Sequence, residues 1–167
     1  SALVLALADR VAAAGIGGVV ETVPTFRSLM IHYDPVRLGA AELRTRLAPL
    51  LQNLVAAEQV GRHWRLPACY DPSLGLDLLE VAERTRLGVE RVVALHAATT
   101  FHIYMLGFLP GFPYMGDLPA ELALPRRENP RVRVPSGSIA IAMRMTSIYT
   151  LESPGGWHLL ARTPAPL

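Results

Sequence analysis

Lysine is absent from the sequence, and cysteine occurs only once, at Cys69. Because all sixteen basic residues are arginine, the chain carries no P-loop lysine, no Schiff-base lysine and no lysine that could carry biotin or lipoyl. A lone cysteine excludes a disulfide within the sequence and a zinc site built from several cysteines. Any such chemistry has to come from a partner.

Charged residues are also scarce, at 18% against 51% hydrophobic, which is typical of a compact globular protein. The net charge of +2 conceals an asymmetry, since residues 126–167 carry six arginines and two acids. Four of these arginines lie close together: Arg126, Arg127, Arg131 and Arg133. Without lysine or interleaved aromatic residues, the cluster favours binding of a carboxylate or phosphate over nucleic acid. Arginines that are solvated or paired with surface acids remain the alternative.

Residues 92–116 carry no formal charge, a run long enough to cross a bilayer. Its histidines, prolines and glycines instead predict a buried strand followed by a loop. The apolar run over residues 3–8 lacks a preceding basic region and is interrupted by Asp9-Arg10, so it predicts a helix and not a signal peptide. We therefore expect a cytoplasmic protein without a membrane segment.

The periodicity predicts helices and strands in both halves of the sequence. In the first half we expect a helix over 2–14 ended by Gly15, strands over 19–23 and 28–33, and a helix over 40–57 broken near Pro49. In the second half, Asp77 is expected to cap a helix that ends at Arg86, and a further helix covers 89–97. Strands are predicted over 62–68, 101–106, 131–134, 138–143, 148–151 and 157–161, an arrangement typical of a small β-barrel or sandwich.

The common catalytic signatures are missing, and the histidines are interpreted as structural. The most unusual segment is the stretch Gly107–Tyr114, where two Gly-Phe steps and two prolines follow a predicted strand. Its glycines let a ligand approach the backbone, and its prolines reduce the entropy lost on ordering. A corner that packs aromatic rings into the core is an equally weighted alternative. Trp157, after a tight turn, is either a structural residue or a wall of the site.

Several of these motifs together resemble the KipI / allophanate hydrolase subunit 1 family, whose members are also named as the B subunit of 5-oxoprolinase. The resemblance rests on Pro67–Tyr70, Leu95-His96, Gly107–Tyr114, Pro125–Arg127, Pro130-Arg131, Val134–Ser138, Ile148-Tyr149, Ser153–Trp157 and Arg162–Pro164. It covers essentially the whole chain and is dense after residue 66.

The resemblance implies an α+β protein. A small α/β domain over residues 1–62 is expected to precede a cyclophilin-like β-barrel domain over residues 63–167. The family pattern has a further strand before the first helix and more strands after Arg162–Pro164, so we expect a trimmed version of both domains. The segment Met145–Thr150 also departs from the family's Gln-Thr-Gly-Ile-Tyr-Pro.

The family's functions differ, and all of them imply partner proteins. We expect a subunit of an ATP-dependent amidohydrolase that acts on a cyclic or urea-derived amide, best matched by 5-oxoproline. The partners are a homologous second subunit, similar to allophanate hydrolase subunit 2 or the C subunit of 5-oxoprolinase, and a third lactam-utilisation subunit. The alternatives are a non-enzymatic inhibitor of a sensor histidine kinase and one carboxyltransferase-like half of a urea carboxylase system. The isolated chain is expected to be inactive.

The expected site combines the arginine group with the glycine-proline loop. Arg126, Arg127 and Arg131 are assigned to a carboxylate or a phosphorylated intermediate, and amides around Gly111 and Gly137 to an oxyanion. The remaining expected substrate-binding residues are Gly107, Phe108, Pro110, Pro135, Ser138 and Trp157. No nucleophile or general base is identified, and His96 is named only as a candidate base. No metal and no covalently bound cofactor are expected, ATP being used by the complex. An Arg127→Lys replacement is expected to weaken activity and leave folding nearly unchanged.

Overall fold

A computed structural model describes residues 2–56 and 61–166. The chain divides into two compact units, Ser1–His63 and Trp64–Leu167. Both mix helices with antiparallel strands, so the α+β class is confirmed. Among the described residues, no helix is long and apolar enough to cross a membrane.

The first unit consists of two helices and a β-hairpin. Helix α1 covers Ala2–Ala14, strands β1 and β2 cover Val19–Pro24 and Leu29–Tyr33, and α2 covers Ala40–Leu47. The helix predicted over 40–57 ends early because Pro49 cannot donate a helical hydrogen bond, and a single 3₁₀ turn follows at Ala48–Leu51. The end of that prediction, residue 57, lies outside the described residues. The guanidinium of Arg10 stabilises the turn by donating to the carbonyls of Leu50, Gln52 and Asn53.

The second unit begins with an exposed stretch and two helices. The strand predicted over 62–68 is wrong, because this stretch pairs with no strand and its Trp64 is 71% exposed. One isolated bridge follows, between Cys69 and Arg162. Helices α3 and α4 then cover Leu78–Thr85 and Val89–Ala98, as predicted.

Seven strands follow the helices, β3 to β9 in chain order. Their bounds are His102–Leu106, Pro113–Gly116, Arg131–Val134, Ser138–Ala142, Met145–Ile148, Ser153–Gly155 and His158–Arg162. Five of them form an antiparallel sheet in the order β3-β4-β7-β6-β9, and β5 pairs with β8. The described strands thus form open sheets, and a closed barrel is not seen among them.

The five-stranded sheet is buried on both faces at strand β6, which lies between β7 and β9. Ile139 and Ile141 belong to a core cluster shared with α3 and α4. Ala140 and Ala142 alternate with them and belong to a second cluster, here called the aromatic cluster, whose rings are those of Phe112, Tyr149 and Trp157. This alternation follows from the two-residue period of a strand. It places the aromatic cluster on the side of the sheet opposite the helices.

Candidate functional site

Asp77 lies immediately before α3, where the sequence predicts a helix-capping side chain. Its carboxylate makes no capping hydrogen bond. Oδ2 instead accepts the backbone N–H of Leu159 at 2.7 Å, in strand β9. Gly75 allows this approach, because a side chain at that position would overlap the backbone of Leu160. The loop before α3 therefore packs directly on the backbone of β9, and Asp77 is buried there, with 2% of its surface exposed.

Two arginines of the predicted binding group donate to this buried carboxylate. Arg131 makes a bidentate pair, with Nη1 2.8 Å from Oδ2 and Nη2 2.6 Å from Oδ1 of Asp77. Arg127 Nη1 lies 2.7 Å from Oδ1 and 2.8 Å from Oε2 of Glu80. We call Asp77, Glu80, Arg127 and Arg131 the aspartate–arginine cluster. It fixes the extended segment after residue 125 to α3 and β9.

A groove of about 430 Å³ opens beside this cluster. Its charged walls are Glu80 and Arg84 of α3 together with Arg126, Arg127 and Glu128. Arg84 Nη1 donates to Glu80 Oε1 at a long 3.2 Å. Arg126 is exposed and makes no hydrogen bond or ion pair with any residue that the structure describes. The pKa of Glu80 is lowered, chiefly by the hydrogen bond that Arg127 donates to its carboxylate. This carboxylate is therefore ionised at neutral pH.

The Gly107–Tyr114 loop packs on the aromatic cluster. Phe112 is buried, with its ring 5.1 Å from that of Tyr114, 5.2 Å from Tyr149 and 6.1 Å from Trp157. The tip of the loop is different, since Phe108 is 61% exposed and has a positive φ of 67°. The loop thus combines an aromatic corner with an exposed tip. Trp157 is 5% exposed and acts as a packing residue.

Tyr149 and Thr150 connect this loop to the segment at Ser136. Thr150 Oγ1 donates to the carbonyl of Pro110 at 2.7 Å, and Ser136 Oγ donates to the carbonyl of Thr150 at 2.8 Å. The N–H of Gly137 donates to the carbonyl of Tyr149 at 2.7 Å. The N–H of Gly137 itself is therefore already used, and an oxyanion role for the amides around Gly137 stays a prediction.

The arginine segment and the Gly107–Tyr114 loop both contact the aromatic cluster. The N–H of Arg127 donates to the carbonyl of Gly156 at 2.8 Å, next to Trp157, whereas the loop contacts the cluster through Phe112. The arginine groove includes no residue of the loop. A separate open groove, of about 460 Å³, includes Ser136 and Gly137 and neither of the other two segments. Neither groove brings all three segments together, and a site that combines them stays a prediction.

His96, the candidate base, is a buried residue of α4. Its Nδ1 is 2.7 Å from the hydroxyl of Tyr70, and its Nε2 is 2.9 Å from Oγ1 of Thr146. The Thr146 hydroxyl donates its one proton to the carbonyl of Ala140, so it accepts a proton from Nε2. Nδ1 then accepts the hydroxyl proton of Tyr70. We call Tyr70, His96 and Thr146 the histidine cluster.

Burial keeps both ionisable members of the histidine cluster neutral. It lowers the pKa of His96 to about 4 and raises the pKa of Tyr70 to about 12. Since both ring nitrogens of His96 are hydrogen-bonded and the ring is 5% exposed, the geometry favours a structural role over that of a general base.

A second buried histidine lies near the groove. His158 is fully buried, and its Nε2 is 2.9 Å from the carbonyl of Pro125. Its Nδ1 lies 4.0 Å from Glu80 and lacks a hydrogen-bond partner. Groups of three or more His, Cys, Asp or Glu side chains that could hold a metal are not found in residues 2–56 and 61–166.

Comparison with known proteins assigns the family. The family model for the carboxyltransferase domain, subdomain C and D, matches residues 1–167. The chain belongs to this family. The resemblance to the KipI-like family, which includes the B subunit of 5-oxoprolinase, is thereby confirmed. Named relatives support the same assignment.

Two curated relatives bear the name of the B subunit of 5-oxoprolinase. The chain is 34% identical to the one from Bacillus subtilis (strain 168), over 90% of this chain and 67% of the relative. It is 38% identical to the one from Haemophilus influenzae, over 89% of this chain and 70% of the relative. Among solved structures, TTHA0988 is 41% identical with a TM-score of 0.79, covering 98% of this chain. The chain spans only 31% of TTHA0988.

In this carboxyltransferase-family chain, the structure leaves the predicted binding residues in three different environments. Only Arg126 is exposed at the arginine groove, since Arg127 and Arg131 are held by Asp77. At the loop, Phe108, Pro110 and Gly111 are exposed. Gly107 and Pro135 are half-buried, whereas Gly137, Ser138 and Trp157 are buried.

Sequence reasoning missed Glu80 and Arg84 of the groove, and it missed Asp77 beside the groove as an arginine partner. Glu80 and Arg84 are four residues apart on α3 and therefore share one face of the helix. That spacing was visible in the sequence. Their position opposite the arginine segment, about fifty residues further along the chain, was not.

Proposed function

We propose that this chain is one subunit of an ATP-dependent amidohydrolase complex of the 5-oxoprolinase type. The observation that carries the proposal is Arg126, which makes no hydrogen bond or ion pair among the described residues. It lies at an open groove next to Arg127, which Asp77 and Glu80 already hold. The names of the relatives support it, since they are 34 and 38% identical over about nine tenths of this chain.

Within the complex, this chain binds and orients the substrate. The groove supplies guanidinium groups for a carboxylate. Gly111 supplies an exposed N–H that has no acceptor among the described residues and can face a developing oxyanion. The chain supplies no identified nucleophile, because Cys69 has no adjacent base in the sequence and His96 is enclosed in the core. We therefore propose that the isolated chain is inactive.

The remaining machinery comes from partners. A homologous second subunit, similar to the C subunit of 5-oxoprolinase, completes the site, and a third lactam-utilisation subunit joins them. ATP is used by the complex to activate the amide, and this requirement supports a cytoplasmic location. We also propose that the second unit belongs to a cyclophilin-like barrel, whose open sheets are seen here.

Reconstitution tests the proposal. The chain is mixed with both partner subunits, ATP and 5-oxoproline, and glutamate is measured. We expect glutamate only when all three proteins and ATP are present, and none when this chain is left out. Equal glutamate formation without this chain would refute its membership of the complex, and no glutamate from the complete mixture would refute the substrate.

The family description favours one second candidate, a carboxyltransferase half-site. In that case the complex would take a carboxyl group from carboxylated biotin held by another protein. Carboxyl transfer from carboxybiotin to urea, in the absence of lactam hydrolysis, would select this candidate.

A further inference from the structure

We propose that the arginine groove binds the substrate's carboxylate between Arg84 and Arg126, and that Glu80 is an internal anion with which this carboxylate competes. The inference rests on the proposed function and assigns the substrate class to one part of this chain. It also moves the binding role away from Arg127 and Arg131, two of the residues that the sequence selects.

The hydrogen-bond donors of the four arginines around the groove support this division. Arg131 uses both terminal nitrogens on Asp77, and Arg127 uses one of them on Asp77 and Glu80 together. Arg84 makes one long bond to Glu80, and Arg126 donates to none of the described residues. A guanidinium offers five N–H donors in a planar fork. Arg84 and Arg126 therefore keep the donors that an incoming carboxylate needs.

Charge favours a single small anion. The groove wall carries three arginines against Glu80 and Glu128. Behind the wall, Asp77 and Arg131 add one charge of each sign, so the site keeps one positive charge. A monocarboxylate matches that charge, and a volume of about 430 Å³ lies in the range of small-molecule pockets.

Glu80 occupies the position of a competing ligand. Its carboxylate is 41% exposed and lies between Arg127, at 2.8 Å, and Arg84, at 3.2 Å. The shorter contact belongs to the arginine that Asp77 also holds. An incoming carboxylate therefore takes over the weaker Arg84 contact and leaves Glu80 on Arg127. Glu128 lines the same groove and is exposed, but no ion pair joins it to an arginine among the described residues.

Titration of the folded chain followed by NMR, through the arginine Nε–Hε resonances, tests the assignment. The probes are 5-oxoproline, 2-pyrrolidinone, which is the same lactam without the carboxylate, and inorganic phosphate. We expect 5-oxoproline to shift the Arg84 and Arg126 resonances and 2-pyrrolidinone to shift neither. Saturation by phosphate without any response to 5-oxoproline would overturn the carboxylate assignment.

Four variants separate the groove from general electrostatics. Arg126→Gln is expected to weaken 5-oxoproline binding about tenfold and Arg84→Gln about threefold, because each loses a charge-assisted hydrogen bond. Glu80→Gln is expected to strengthen binding about threefold, since the competing charge is lost. The matched control is Arg133→Gln, which removes the same charge outside the groove, where Arg133 pairs with Glu152. An equal loss in Arg133→Gln, or unchanged binding in Arg126→Gln, would overturn the proposal.

The reconstituted complex distinguishes a failure of this inference from a failure of the proposed function. Glutamate formation whose KM for 5-oxoproline is insensitive to Arg126→Gln and Arg84→Gln refutes the groove and leaves the function standing. Binding of 5-oxoproline with the expected variant pattern, in a complex that forms no glutamate, supports the groove and refutes the function.

Discussion

The aspartate–arginine cluster and the histidine cluster both join segments that are far apart in the sequence, the first with charged groups and the second with neutral ones. Each joins residues that are fifty positions apart, Asp77 to Arg127 in one and His96 to Thr146 in the other. The first is charged and borders a groove, whereas the second is neutral and lies in the core. At the groove, Glu80 can give up its contact with Arg84 to an external anion and keep its contact with Arg127. A neutral, fully bonded cluster can only hold its segments together.

Replacing Asp77 is expected to have the largest effect. Asp77→Asn removes the charge that compensates Arg127 and Arg131 and keeps the shape of the side chain. We expect a loss of about 3 kcal/mol in the free energy of unfolding, at the low end for a broken buried ion pair because both arginines are 23% exposed. Urea unfolding at neutral pH measures it. A loss no larger than that of Glu152→Gln, a matched change in a surface pair, would contradict the account.

Acid should destabilise the fold through the histidine cluster. The unfolded chain protonates His96 near its usual pKa of 6.5, whereas the folded chain does so only at about 4. The unfolded state therefore binds more protons between these values, and stability falls as the pH is lowered through them, by up to about 3 kcal/mol. Above pH 6.5 this contribution is fully present.

Unfolding curves at several pH values check this prediction with His96→Gln. The variant should lose part of the dependence between pH 6.5 and 4. The exposed His102→Gln, on strand β3, should keep all of it. Identical pH profiles for the unmodified chain and His96→Gln would show that the neutral cluster is wrongly assigned.

Arg127→Lys is expected to have a smaller effect on stability, yet not the negligible one that the sequence suggests. The guanidinium bridges Asp77 and Glu80 with one nitrogen, and a lysine ammonium can replace that bridge only in part. We expect a loss of about 1 kcal/mol. Thermal unfolding beside Arg126→Gln, which should unfold like the unmodified chain, measures the difference. Equal midpoints for both variants would show that Arg127 is not part of the folded framework.

The smallest effect should come from the surface pair of Arg133 and Glu152. Its contact of 2.6 Å is short, but the side chains are 77% and 47% exposed. Exposed pairs contribute little because solvent screens them. We expect Arg133→Gln to unfold at the same urea concentration as the unmodified chain, within error. A clear shift of the midpoint would mean that the short contact distance of an ion pair predicts its contribution to stability even when the pair is exposed.

Most of the local structure followed from the sequence. Alanine and leucine before Gly15 predicted α1, and the change of hydrophobic period after Thr100 predicted β3. The errors in predicted strand bounds arise where a turn lacks the residues that usually mark one in the sequence. The hairpin between β6 and β7 turns at Met143, with a positive φ of 55°, without glycine or asparagine. The strand predicted over 148–151 was therefore shifted, and β7 ends at Ile148.

The site was predictable in composition but not in pairing. The sequence singled out the arginine cluster, and three of its members pair with acidic side chains, Arg127 and Arg131 with Asp77 and Arg133 with Glu152. Its role in binding stays a prediction. Asp77 was assigned to a helix end, since local capping is the commonest use of such a residue before a helix. Only the fold brings Leu159 and both arginines to its carboxylate. Pairings at that separation leave no local signal in one sequence.

Steady-state kinetics of the reconstituted complex test the central claim, that the groove beside the aspartate–arginine cluster binds a ligand and the histidine cluster stabilises the fold. Arg126→Gln, at the groove, is compared with Tyr70→Phe, which removes one hydrogen bond from the histidine cluster. We predict that Arg126→Gln lowers kcat/KM for 5-oxoproline about tenfold without changing stability. Tyr70→Phe should lower stability and leave kcat/KM unchanged. The reverse pattern, with activity lost in Tyr70→Phe and retained in Arg126→Gln, would contradict the account.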